Sequence, residues 1–551
     1  MPIGIDDFAE MINKNYYFVD KTPFIEQIME NQAKVTLITR PRRFGKTLNL
    51  SMLNYFFTLD NAEENRKLFS GLYIENTEYM QEQGTRPVIF LTFKDIKHTN
   101  WNDTKEKLAS ILAKLYNKYV FLLSSDKLND LHRKKFVSIY EEKLSRKDME
   151  ESLESLCEML FLHYNKKPLL LIDEYDTPII SAWHNHFYDD CIQFMRNFFS
   201  SALKNNLNLD FAVLTGITRV SKESIFSGLN NLDVCGVTSD SYSDCFGFTQ
   251  QEAEKLMQDC GYAVKLNELQ QWYDGYKFGD TEIYNPWSVI NFVRNKCNFK
   301  PYWINVSDNA ILRDVLTHVD EQRYNELEKL LEGDSVEVTL NENIVYSDLS
   351  GNRDALFMML LHTGYLKAVN IKEFRPRVNL VELKIPNCEI QQAYEQEILR
   401  YTVPNQGETL LWHMLEAMIS GNSTEFEKKL SKVLIDIVSC HDAATKPENF
   451  YHGLLLGFSV LMTGVYRIES NRESGLGRFD IAFFPLDNIH AGVILELKAA
   501  KTEAEMAELA KTAVKQIQDK AYCAELKRQG VAQIWQYGIS FHGKKVHIER
   551  E

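Results

Sequence analysis

Two groups of residues in this sequence combine types and spacings that carry chemistry. The first joins the run Arg40-Pro41-Arg42-Arg43-Phe44-Gly45-Lys46-Thr47 to the acids Asp173 and Glu174. A glycine before a lysine and a hydroxyl, where a strand turns into a helix, suits a triphosphate bound with Mg²⁺. Gly45 lets the backbone approach the phosphates, while exposed N–H groups around Arg43, Phe44 and the helix N-terminus supply donors and a positive dipole end. Lys46 would reach the β and γ phosphates, and the Thr47 hydroxyl would ligate the cation. Arg40 stands where the usual spacing has a glycine. On the loop alone, a basic turn that happens to contain Gly-Lys-Thr is therefore a competing reading.

The acids shift the balance. Leu169 to Ile172 is a buried apolar run that delivers Asp173 and Glu174 at its end, where ligands sit in open α/β sheets. Asp173 would hold Mg²⁺, directly or through water, and Glu174 would orient and deprotonate an attacking water. Two ionised acids at a buried strand end are costly without a cation partner. A further run, Phe211 to Thr215, leads through Gly216 to Arg219. Thr215 is placed to sense the terminal phosphate. Arg219 either stabilises transition-state charge or forms a structural salt bridge, and a second copy of the chain, in a homo-oligomer, could supply the arginine instead.

The second group is Asp480, Glu496 and Lys498. Gly477 to Phe483 alternates, which sets Phe479, Ile481 and Phe483 on one face and Asp480 on the other. Val493 to Lys498 alternates likewise, so Glu496 and Lys498 share a face opposite Leu495 and Leu497. Paired as a hairpin, the two strands bring an acid from each together with one lysine. Two carboxylates holding Mg²⁺ beside a lysine that serves the nucleophile form a metal-dependent phosphodiesterase site. Upstream, Glu448 at a helix start would add a metal ligand. Downstream, Gln516, Gln518 and Tyr522 are carried on a helix. An exposed polar strand face is the competing reading of Asp480, Glu496 and Lys498.

The elements that must position these groups follow from hydrophobic patterning. Apolar runs at Val35 to Thr39, Val88 to Phe93, Leu169 to Asp173, Phe211 to Thr215 and Val234 to Thr238 alternate with helical patterns over the first 245 residues. That order predicts a parallel sheet covered by helices on both faces. Thr249 and Glu252 form a capping box that opens a helix, and residues 246–404 read as a helical lid with a winged-helix-like part. Linker chemistry at Val403 to Gly407 precedes a third, α/β region over residues 405–551. Trp412, Met414 and Met418 read as core of a helix, and Gly453 to Val465 as a buried helix.

Composition narrows the class. With 551 residues, 44% hydrophobic and 25% charged, the chain has the balance of a multidomain globular protein. The net charge of −15 argues against coating nucleic acid by bulk positive charge and leaves a local basic channel open. The 9 cysteines are scattered without paired spacing, which fits a reducing cytosol. No segment has the length and apolarity of a membrane span.

The N-terminal motifs together resemble the bacterial AAA-ATPase-like family: Tyr17 to Thr22, the arginine-rich loop Arg40 to Thr47, Leu170 to Asp176, Leu214 to Gly216, Lys222 to Asn230 and Tyr284 to Val289. Arg40 is no departure within that family. The C-terminal order of Glu448, Gly477 to Asp480, Glu496 to Lys498 and a glutamine-tyrosine helix resembles the PD-(D/E)XK nuclease superfamily. These resemblances imply an AAA+-like P-loop ATPase domain over residues 1–245, the lid over 246–404, and a restriction-endonuclease-like domain over 405–551. They imply ATP and Mg²⁺ as cofactors and DNA or RNA as partner. The alternative is a nucleotide-dependent switch or remodeller whose nuclease-like domain only binds nucleic acid or protein.

Overall fold

The computed structural model describes all residues except 220–231, 304–325, 328, 332, 342–351, 377, 395–406, 438–450, 453, 456–457, 459–461, 463–464, 471–472, 475–476 and 488. The chain divides into two bodies, the first reaching Gln391 and the second running from Gln392 to Glu551. The expected lid and linker boundary near residue 404 lies outside the described residues.

The first body is built on the parallel strands β1 (Val35–Thr39), β2 (Val88–Thr92), β3 (Leu169–Asp173), β4 (Ala212–Gly216) and β5 (Leu232–Cys235), ordered β2-β3-β4-β1-β5. Every residue of β1, β3 and β4 is buried, as their near-continuous apolar runs suggest for strands covered on both faces. Because β4 lies between β1 and β3, the residue after β1, the end of β3 and Thr215 on β4 come out along one sheet edge. The last strand ends earlier than expected. It stops at Cys235 because the Arg40 guanidinium takes the carbonyls of Cys235 (2.9 Å) and Gly236 (2.7 Å) and turns the chain there.

Beyond this sheet the capping box of Thr249 and Glu252 opens the helix Gln250–Asp259. Lys21 reaches the same Glu252 at 2.6 Å and so fastens the N-terminal segment to that helix start. Short antiparallel strands β6 (Phe248–Thr249), β7 (Tyr276–Phe278) and β8 (Thr281–Tyr284) follow, then the helix Pro286–Arg294. A second antiparallel sheet, β9 (Val336–Thr339), β10 (Lys367–Arg375) and β11 (Val378–Lys384), and the buried helix Arg353–Thr363 complete this helical middle region.

The second body carries a mixed sheet of β12 (Tyr466–Ser470), β15 (Ile481–Pro485), β16 (Gly492–Ala499), β17 (Ile534–His542) and β18 (Lys545–Arg550), with a short pair β13 (Glu473–Ser474) and β14 (Gly477–Arg478) beside it. The pair β15 and β16 is the expected antiparallel hairpin, whereas β16 and β17 run parallel, joined through the helix Met506–Asp519. Helices Gly407–Ile419 and Ser423–Ile437 supply Leu411, Met414, Met418 and Leu430 to one face, against Ile481, Phe483 and Leu495. The opposite face packs Ala482, Phe484 and Ile494 on Ile517 and Leu526.

Two expectations about this body need correction. Trp412 is 43% exposed, because Leu411, Met414, Leu415 and Met418 already define the helix's buried stripe and Trp412 points off it. Phe479 packs with Ala482 and Phe484, not with Ile481 and Phe483. The strand begins only at Ile481 after a bend at Asp480, so strict alternation does not extend back to Phe479. Within the expected helix at Gly453 to Val465, Leu455 and Phe458 are helical and buried, and much of the remainder lies outside the described residues.

Candidate functional site

In the first body, the loop after β1 is held open by its own side chains. Arg40 is fully buried and donates to the carbonyls of Thr39, Cys235, Gly236, Ser241 and Tyr242, with its guanidinium 4.7 Å from the Phe278 ring. Burial with no carboxylate to offset it lowers its pKa to about 10. The residue in the first-glycine position thus supports the loop from below. Arg43 has φ +70° and Gly45 φ +84°, which bends the chain into the helix Lys46–Phe57 with Gly45 as its N-cap. Phe44 is buried between Tyr276 and Phe278. Among the described residues, none accepts from the backbone N–H groups of Arg43, Phe44, Gly45 or Lys46. Such a run at a helix start is a cradle for an anion.

Lys46 is 6% exposed and folds back on the loop, its Nζ donating to the carbonyls of Arg40 (3.0 Å) and Pro41 (2.8 Å). Burial lowers its pKa, against the opposing pull of Glu174, Asp173 and Asp176. The Thr47 hydroxyl donates to Asp173 Oδ2 at 2.7 Å, and the Thr215 hydroxyl donates to Asp173 Oδ1 at 2.7 Å. The three sequence-selected residues therefore meet at one carboxylate. Burial raises the Asp173 pKa although both hydroxyls lower it, so the carboxylate sits where a cation would stabilise it. Thr47 and Asp173 are oxygen donors of the kind Mg²⁺ takes when phosphates and waters complete its shell. Glu174 follows at φ +52°, half-buried, accepting from the Thr177 hydroxyl at 3.2 Å.

The end of β4 is fixed by residues to which sequence reading assigned no role. Asp176 is buried and its Oδ2 accepts from the N–H groups of Ile217 (2.8 Å) and Thr218 (2.9 Å), while Tyr175 donates its hydroxyl to the Thr218 carbonyl at 2.6 Å. Gly216 is required between them, since a Cβ there would lie 2.6 Å from the Tyr175 ring and 2.8 Å from Asp176 Oδ1. Their place directly after the acid pair was the one signal available. Arg219 lies just beyond, half-buried, and the bonds that secure this strand end are made by Tyr175 and Asp176.

In the second body, Glu496 is 2% exposed on β16 under the helix Met506–Asp519, which removes the reading of a solvated strand face for this residue. Its Oε1 accepts from Lys498 Nζ at 2.9 Å and from the Gln516 side-chain amide. Gln516 in turn lies 3.4 Å from the Tyr522 hydroxyl. Asp480, at the bend before β15, accepts from the Leu497 N–H through Oδ2 at 2.7 Å, which brings it beside Glu496 and Lys498. Gln518 is exposed on the far side of the helix. Glu448 lies outside the described residues. Among the described residues no group of three or more His, Cys, Asp or Glu converges. The donors available here are two carboxylates, a set suited to a hard divalent cation that keeps waters in its shell.

Comparison with known proteins follows this division. Residues 2–226 match the family described as predicted AAA-ATPase, and residues 446–551 match the PD-(D/E)XK nuclease superfamily. The chain thus joins an AAA-ATPase-like domain to a PD-(D/E)XK nuclease-superfamily domain. It is also 24% identical over 540 residues to an uncharacterized protein in the vnfD 5′ region of Azotobacter chroococcum mcd 1, covering 96% of this chain and 94% of that protein. Among the described residues no helix is long and apolar enough to cross a membrane.

Proposed function

We propose that the first body binds and hydrolyses ATP and that the second cleaves the phosphodiester backbone of DNA or RNA, with nucleotide turnover driving or gating cleavage. The observation that carries the first half is the convergence of Thr47, Thr215 and the buried Asp173 beside a lysine parked on its own loop carbonyls. On binding, Lys46 exchanges those carbonyls for the β and γ phosphate oxygens, and the N–H groups of Arg43 to Lys46 receive the phosphates. Thr47 and Asp173 would hold Mg²⁺, which neutralises phosphate charge as it develops. Glu174 orients the attacking water and takes its proton, and Thr215 reports the terminal phosphate to Asp173. Arg219, from this subunit or a neighbour, is assigned to transition-state charge.

In the second body, Asp480 and Glu496 would hold the divalent cation, which supplies an activated water and charge neutralisation. Glu448 is assigned as an outer ligand. Lys498 positions the nucleophile or the phosphate, and Gln516 keeps the Glu496 carboxylate aimed. Gln516→Ala is accordingly expected to lower cleavage by roughly 10- to 100-fold, the usual cost of losing a partner that orients a ligand. Gln518→Ala should cleave as wild type does. A cleavage assay on both variants, with melting curves to confirm folding, reads the difference.

Lys46→Ala tests the first half. Calorimetric titration with Mg·ATP should give no measurable binding, because the buried ammonium that pairs with the phosphates is gone. Wild-type affinity in that variant would remove the nucleotide site from this loop.

A further inference from the structure

Trp287, Ser288, Trp303 and Glu389 take no part in the chemistry above, yet they connect the middle region of the first body to the phosphate loop. The Trp303 indole N–H donates to the Arg42 carbonyl at 3.1 Å. Its backbone N–H donates to Glu389 Oε1 at 2.7 Å, and the other oxygen of that buried carboxylate accepts from the Ser288 hydroxyl at 2.7 Å. Ser288 and Trp287 begin the helix Pro286–Arg294, capped by the Asn285 side chain. The Arg43 guanidinium lies over the Trp287 ring, 4.5 Å from its centroid, and the Trp287 indole donates to the Tyr302 carbonyl at 3.1 Å.

These contacts fall on either side of a strained residue. Arg43 has φ +70°, a left-handed conformation that a branchless glycine adopts freely and an arginine does only when its surroundings hold it. Among the described residues no peptide bond is cis, and in a trans peptide the C=O and the following N–H point in opposite directions. Turning the Arg42 carbonyl outward to Trp303 therefore turns the Arg43 N–H inward, toward the cradle.

We propose that Trp303 and Trp287 are positioning residues that preset the phosphate loop for a nucleoside triphosphate. Trp303 fixes the Arg42–Arg43 peptide, Trp287 fixes the Arg43 side chain, and Glu389 holds Trp303 in place. The proposal rests on the reading that this loop binds the triphosphate. Because the Trp303 and Glu389 side chains lie outside the group around Asp173 and Glu174, they set affinity for the nucleotide and leave the rate of the bound complex alone. Burial pushes the Glu389 carboxyl up to about 7, so an uncharged amide is a fair mimic of it.

The test is titration of full-length protein with Mg·ATP, together with kcat and KM for hydrolysis. Trp303→Phe keeps an aromatic ring and removes the indole donor. Its Kd and KM should rise by roughly 3- to 10-fold, the worth of one well-placed hydrogen bond, with kcat unchanged. Glu389→Ala should weaken binding in the same way. Glu389→Gln should restore it, since the amide oxygen still accepts from Trp303 and the Ser288 hydroxyl can turn to accept from the amide nitrogen. Should Trp303→Phe fail to fold, Trp287→Phe reads the second restraint and is expected to weaken binding by about 3-fold. Wild-type affinity in the folded tryptophan variants, or an equal loss in Glu389→Gln and Glu389→Ala, would overturn the proposal. Lys46→Ala separates the two levels. If that variant still binds ATP, the nucleotide reading itself fails; if it does not, while Trp303→Phe binds normally, only the positioning role falls.

Discussion

Glu174→Gln is expected to bind ATP as wild type does and to hydrolyse it some 10²- to 10⁴-fold more slowly, the span usual for a lost general base. The amide occupies the carboxylate's space and can still accept from the Thr177 hydroxyl, which bonds Glu174 Oε2 at 3.2 Å. It cannot take a proton from water. The left-handed backbone at Glu174, φ +52°, sets this side chain apart from Asp173, whose two oxygens are occupied by the hydroxyls of Thr47 and Thr215. On the proposed reading Asp173 would hold the cation and Glu174 would be left for the water. Single-turnover hydrolysis beside a binding titration separates the two roles. Loss of binding, or a wild-type rate, would move the base elsewhere.

In the second body, Asp480→Ala and Glu496→Ala are each expected to remove cleavage, by about 10³-fold or more, since several kcal/mol of transition-state charge stabilisation depends on the cation they would hold. The folds should survive differently. Asp480 sits at a bend and accepts from the Leu497 N–H, so its removal leaves one donor of β16 without that acceptor. Glu496 is buried and ion-paired with Lys498, so Glu496→Ala also removes that buried ion pair, and melting temperature should fall more. Lys498→Ala should lose cleavage with metal binding largely intact. Calorimetry with Mg²⁺ or Mn²⁺ beside the cleavage assay distinguishes these outcomes.

How much of this was legible in the sequence depended on whether the determining interaction was local. β1 and β3 were readable to the residue because a strand buried on both faces reads as a near-continuous apolar run, and each ends where polar chemistry begins. The capping box at Thr249 was readable because it is a contact between residues three positions apart. Arg40 was not. In sequence it is a missing glycine, and its purpose appears only when the carbonyls of Cys235 to Tyr242 come back to meet it. The same holds for Tyr175 and Asp176, whose partners Ile217 and Thr218, just past β4, lie about forty residues on. The choice between Gln516 and Gln518 was within reach. Met506, Ala510, Ala513 and Ile517 mark the buried stripe of their helix, and only Gln516 borders it on the sheet side.

On the proposed function, ATP bound by the first body controls metal-dependent cleavage by the second. The most direct measurement is cleavage of labelled single-stranded DNA, duplex DNA and RNA by the full-length chain with Mg²⁺, with and without ATP, in wild type, Lys46→Ala and the Asp480→Ala/Glu496→Ala double variant. Wild type should cleave at least one substrate and respond to ATP, Lys46→Ala should lose that response, and the double variant should cleave under no condition. Cleavage that persists in the double variant, or wild-type protein that binds ATP yet cuts none of the substrates with it, would contradict the proposed function.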